Sequence, residues 1–122
     1  MTPLPVLPDY TGGNVRGIVP ALLAPASAPW PNWMPVAAHT ASQVVLLVLD
    51  GLGWEQLAER STIAPTLSGM AGGPITTVAP STTSTALTSI ATGLTPGEHG
   101  LVGYRIDVAG EVMNVLRWHT SA

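Results

Sequence analysis

The sequence predicts an α/β protein built on a partial parallel sheet with crossover helices. Three observations carry that prediction. Val44 to Leu49 form an unbroken run of six apolar residues that ends on Asp50-Gly51. A run without alternation is what a strand covered on both faces requires. From residue 43 onward, candidate strands and helices alternate, the order that produces parallel strands joined by crossovers. Apolar residues make up 46% of the chain and charged residues 9%, which favours a buried, sheet-centred core over a disordered chain.

Residues 1–42 hold eight of the twelve prolines. Proline removes backbone donors and disfavours helix before it, so this part reads as an extended N-terminal arm with short turns. VRGIVPALLA has room for one helical turn. Trp30, Trp33 and Met34 are candidate anchors of the arm on a larger body. Residues 43–122 read as a partial α/β core, an incomplete domain. Gln43 to Leu49 is the first strand. Trp54 to Arg60 is a helix with Glu55 and Glu59 one turn apart. Pro65 to Met70 is a second short helical piece, ended by Ala71-Gly72-Gly73. Ile75 to Val78 is a short strand, Thr85 to Ala91 a helix, and Thr92 to Gly100 a loop. Leu101 to Val108 and Glu111 to Trp118 form two strands joined at Ala109-Gly110.

Composition excludes several functions. The chain carries a net charge of -3 and no lysine, and its four arginines are scattered, which argues against nucleic acid as a partner. Without cysteine there are no disulfides, thiolate nucleophiles or zinc fingers. MTPLPVLPDY lacks the basic start of a secretory signal. VVLLVL is far shorter than the roughly 20 residues that span a bilayer. These features predict a soluble cytoplasmic protein that does not enter membranes.

In open α/β sheets, ligands bind beyond the carboxyl ends of the strands. Asp50 stands at one such end, and the hydroxyl run Ser81-Thr82-Thr83-Ser84-Thr85 stands just past another. A carboxylate and a hydroxyl on one rim suit a divalent metal, which binds an oxygen nucleophile and lowers its pKa. The same residue types also serve as helix caps, and both roles stay open on spacing alone. His39, His99 and His119 show no ligand spacing. Gly51-Leu52-Gly53 lacks the third glycine of a dinucleotide fingerprint, a phosphate loop would need a lysine, and G-x-S-x-G is absent.

Taken together, VVLLVLDGLGWEQL, PSTTSTALTSIATGL and TPGEHGLVGYRI resemble the N-terminal part of the alkaline phosphatase superfamily. Within it they look most like the nucleotide pyrophosphatase/phosphodiesterase branch. In that branch an apolar strand ends in Asp-Gly, and a Pro-Thr-x-Thr segment precedes a helix. Thr-Gly-Leu-x-Pro-x-x-His-Gly follows. Pro80, Thr83, Ser89, Ile90, Thr92, Gly93, Leu94, Pro96, His99 and Gly100 fall in that register without a gap.

The resemblance implies metal-assisted hydrolysis of a phosphoester or nucleotide-like small molecule through a covalent phospho-threonine, with two zinc ions. It makes Thr83 the nucleophile and a metal contact, Asp50 the first metal ligand, and His99 a loop organiser. Ser81, Thr82, Ser84 and Thr85 would cap and shape the turn. Where the branch has a phosphate-binding asparagine, this chain has Tyr104. The family's further ligands come from segments beyond those matched here, so the implied site needs a C-terminal part of the domain. The competing expectations are a non-catalytic interaction module that keeps the local structure, and a mutase- or phosphonate hydrolase-like member of the same superfamily.

Overall fold

A computed structural model describes residues 4–120. The first three residues of the Pro-rich arm, and Ser121 and Ala122 of the second segment, lie outside the described residues.

The arm is more regular than its prolines suggest. A 3-10 turn, Val15–Gly17, runs into helix α1, Ile18–Leu23. Pro20 sits in the first turn of α1, where a missing N–H costs nothing. Asn14 caps the turn, its Oδ1 accepting from Arg16 N at 3.1 Å. The Thr11 hydroxyl, then the Gly12 and Thr11 N–H groups, hold the Asp9 carboxyl below its ordinary range. Helix α2, Val36–Thr40, follows Pro35. Met34 is buried, and its carbonyl accepts from Trp30 Nε1 at 3.3 Å. A Cβ on Gly17 would stand 3.0 Å from the Trp33 ring, so glycine there lets the indole pack onto the backbone.

The apolar run behaves differently from its prediction. Gln43 to Leu49 forms no strand, and all of its residues are exposed, Val45 at 92% and Leu47 at 69%. Ile75 to Val78 makes one parallel bridge, Asn14 with Thr76, through Val15 N–H to Thr76 O at 3.0 Å and Thr76 N–H to Gly13 O at 2.8 Å. The expected parallel sheet is therefore reduced, among the described residues, to that bridge. A buried parallel strand needs a backbone partner along an edge and a layer on each face. The arm takes the place beside Thr76, and no described segment pairs with 43–49.

Helix α3, Trp54–Glu59, and helix α4, Pro65–Ser68, fall where the sequence places them. Helix α5, Thr83–Thr92, ends at Gly93, whose φ of 75° lies in the left-handed region that glycine enters without steric cost. A Cβ at Gly93 would come within 2.5 Å of Pro20 Cγ, so the arm presses against this helix end. The buried face of α5 is polar: Ser84, Thr85 and Ser89.

The expected loop 92–100 contains a short helix, α6, Pro96–His99. Pro96 opens it, and Glu98 Oε2 accepts from the Thr95 N–H at 2.7 Å and the Thr95 hydroxyl at 2.8 Å. This satisfies helix-start donors that would otherwise be orphaned. These two bonds, the backbone one first, lower the Glu98 pKa below its ordinary value. A depressed carboxylate pKa stabilises above the unfolded value, and the gain is lost as pH falls through the folded one. The Thr95 amide proton should therefore shift upfield in a titration below pH 4.5, and Glu98→Gln should remove that transition. A Thr95 amide insensitive to pH in the unmodified protein would contradict the box.

The C-terminal part is an antiparallel sheet of three strands: β1, Arg105–Val108, β2, Glu111–Asn114, and β3, His119–Thr120, in that order. Val108 pairs with Glu111 across Ala109-Gly110, where both φ values are positive, 55° and 85°. That is the two-residue turn matching strand twist. The buried apolar residues are few, Met34, Val78, Pro96 and Val115 among those described.

Candidate functional site

Buried Val78 leads into Ala79-Pro80, a cis peptide bond, and from there into the hydroxyl run. The structure sorts the five hydroxyls. Thr82 is the N-cap residue of α5, and its hydroxyl bonds the fully buried Thr85 hydroxyl at 2.9 Å instead of the backbone. The Ser84 hydroxyl donates to Gly103 O at 3.0 Å, fastening the 101–104 segment to the first turn of α5. Thr82, Ser84 and Thr85 are thus committed to internal bonds. Ser81 and Thr83 have no side-chain hydrogen bond among the described residues.

Thr83 is half-buried at the first position of α5. The N–H groups of Thr83, Ser84 and Thr85 have no backbone or side-chain acceptor among the described residues; Ala86 N–H, bonded to Thr82 O at 2.9 Å, begins the helical ladder. Free N–H groups at a helix start favour a phosphate oxygen or a developing alkoxide.

Asp50 is exposed, in the turn closed by Leu52 N–H to Leu49 O at 3.2 Å. It does not cap α3: Gly53 occupies that position without a side-chain bond. Asp50 instead lines a hollow of about 660 Å³, together with Ser81, Ala86, Leu87 and Ile90. Residues three, four and seven apart share one helix face, so Thr83 heads the stripe of Ala86, Leu87 and Ile90 that faces this hollow. The structure thus sets Asp50 and Ser81 in one hollow, with Thr83 at the end of the helix face lining it. Thr83 itself does not line the hollow.

His99 is occupied by the fold. Its Nδ1 accepts from Leu101 N–H at 3.1 Å, so Nε2 carries the proton and donates to Ser89 Oγ at 2.9 Å. That is the loop-organising role expected of it. His39 lies against Trp30, ring centroids 4.8 Å apart, and His119 belongs to β3. The Tyr104 hydroxyl accepts from Asn114 Nδ2 at 2.7 Å. Among the described residues no three His, Asp or Glu side chains gather as a metal cluster. No helix among them is long and apolar enough to cross a membrane.

Sequence reasoning missed the contribution of the arm. Tyr10, Asn14 and Arg16 all bond to the segment that carries the hydroxyl run or to its helix. Their partners lie 62 to 77 residues away, and no local spacing announces them.

No curated protein and no solved structure matches this chain. A family model described as type I phosphodiesterase / nucleotide pyrophosphatase matches residues 44–122, which take in Asp50, the hydroxyl run, α5, α6 and the C-terminal sheet. With that match over more than half its length, the chain belongs to the type I phosphodiesterase / nucleotide pyrophosphatase family.

Proposed function

We propose that this chain is the N-terminal portion of a metal-dependent phosphodiesterase/nucleotide pyrophosphatase-like hydrolase acting through Thr83. In this reading, further sequence completes an alkaline phosphatase-like parallel sheet around Gln43 to Leu49. The observation that carries the reading is the sorting of the hydroxyls. In a run of five, the family's nucleophile position keeps its hydroxyl unbonded, at a helix start with three free N–H groups. Thr83 Oγ1 attacks phosphorus as its hydroxyl proton is given up, the P–O bond to the leaving group breaks, and the leaving oxygen takes up a proton. Water then hydrolyses the phospho-threonine. The helix-start N–H groups hold phosphoryl oxygens as charge develops on them.

Asp50 and Thr83 together supply two oxygen donors, whereas a tetrahedral zinc takes four ligands. These two residues do not hold a pair of zinc ions by themselves. The remaining donors must come from other polypeptide. When bound, such ions lower the pKa of an oxygen nucleophile and neutralise phosphoryl charge. In the enzyme carrying this chain, chelation should remove at least about 99% of phosphodiester hydrolysis, and zinc should restore it, since metal clamps contribute several kcal/mol. Full activity in excess chelator would refute the metal dependence.

A second reading, an interaction module without catalysis, is favoured by one observation. Val44 to Leu49 leaves all its side chains exposed, and Val44 to Val48 make no backbone hydrogen bond among the described residues.

A further inference from the structure

We infer that residues Tyr10–Arg16, outside the matched family segment, are a clamp that sets the position of the Thr83 turn, with Tyr10 as its positioning residue. The inference rests on Thr83 being the nucleophile.

The clamp grips the segment at three places. Upstream, Asn14, only 1% exposed, donates from Nδ2 to Thr76 Oγ1 at 2.9 Å and to Thr77 O at 3.0 Å. With its Oδ1 on Arg16 N, this side chain is satisfied at both ends and locks Thr76-Thr77 to the arm. Downstream, Arg16 Nη1 donates to Gly93 O at 2.9 Å, a cation on the carbonyl end of α5 where the helix dipole favours it. Between these, the Tyr10 hydroxyl accepts from Ala79 N–H at 3.1 Å.

The middle contact bears on the chemistry. Pro80 has no N–H to offer. Among the described residues, the Tyr10 bond is the one hydrogen bond that ties residues 79–81 to another part of the chain. Tyr10 is itself held: its carbonyl accepts from Arg16 Nη2 at 2.7 Å, and the Arg16 guanidinium lies 6.0 Å from its ring centre. The bonds form a closed circuit. Tyr10 holds the turn before α5, α5 ends at Gly93, Gly93 is held by Arg16, and Arg16 holds Tyr10. Thr83 sits inside this circuit, four residues after Ala79. Terminal arms are commonly loose, but an arm wired to both ends of one helix fixes where that helix starts. A nucleophile must reach its near-attack position to within a fraction of an ångström, and a displacement of about 1 Å costs up to about 100-fold in rate.

Tyr10→Phe removes one oxygen atom and leaves the ring beside Arg16. In the enzyme carrying this chain, assayed on bis(p-nitrophenyl) phosphate, Tyr10→Phe should lower kcat about 10-fold or more with KM changed less than about twofold. Amide exchange should speed up at Ala79 while the 105–114 hairpin keeps its protection. Unchanged Ala79 exchange, or faster exchange with unchanged kcat, overturns the clamp. Thr83→Ala, assayed in parallel, separates the two claims. If it keeps turnover while Tyr10→Phe loses it, the nucleophile assignment falls and the positioning of the turn stands. An unmodified enzyme without phosphodiester hydrolysis overturns both.

Discussion

Replacing Thr83 with alanine should abolish phosphoester hydrolysis by the enzyme that carries this chain, with turnover down at least about 1,000-fold. Removing the nucleophile from a group of residues that act together costs most of their joint rate enhancement. Thr83→Ser, which keeps the hydroxyl, should retain measurable turnover. The neighbouring hydroxyls provide the contrast. Ser81 makes no side-chain hydrogen bond among the described residues, so Ser81→Ala should leave stability nearly unchanged and turnover within a few-fold. Thr82→Ala strips the partner from the buried Thr85 hydroxyl and should cost about 1–3 kcal/mol of stability, the penalty of an unsatisfied buried polar group. Chemical denaturation and steady-state rates on the same four variants distinguish the roles. Equal activity loss in Ser81→Ala and Thr83→Ala, with folding intact in both, would remove Thr83 from its special position.

The 122-residue chain on its own should self-associate through Val44 to Leu49. The six apolar residues are uncharged, free of proline and exposed, and Val44 to Val48 make no backbone hydrogen bond among the described residues. Such a segment is a template for edge-to-edge pairing. Few charges oppose it: four basic and seven acidic residues in the whole chain. Val45 and Leu47 are the two most exposed residues of the run, and covering each stabilises by about 1.5–3 kcal/mol. Replacing both with glutamate should therefore weaken association at least about 100-fold, visible as a shift toward monomer in light scattering. A monodisperse, cooperatively unfolding monomer of the unmodified chain would contradict this expectation, and would count against the proposal that further sequence completes the sheet.

Where the controlling chemistry is local, the sequence could be read directly. Helix α3 and helix α4 lie where Gly53 and Pro65 start them. The hairpin turns at Ala109-Gly110, because a two-residue turn needs positive φ and announces itself by composition. Helix α5 begins two residues earlier than the threonine propensities suggested, since packing of Ser84 and Thr85 outweighs weak intrinsic preference. Helix α6 stands where the sequence predicts a loop, although Thr95-Pro96-Gly97-Glu98 is a capping sequence. The family register of Pro80, Thr83, Gly93, Pro96 and His99 was visible for the same reason, as a pattern of near neighbours.

What the sequence by itself determined is which residue types stand at the hydroxyl run, the Asp-Gly turn and the helix ends, and through them the family. Tertiary structure alone decided which hydroxyls are free. Thr82 and Thr85 satisfy each other, Ser84 reaches Gly103, and Ser81 and Thr83 are left over, because a buried hydroxyl must find a partner and the nearest partner is set by packing. It alone decided that the Pro-rich arm holds both ends of α5, through bonds spanning 69 and 77 residues. It also decided that an apolar run with every local mark of a strand does not become one. Hydrogen bonds within a helix or a turn connect residues a few positions apart and leave a spacing to read. A strand exists through neighbours that its own residues do not specify.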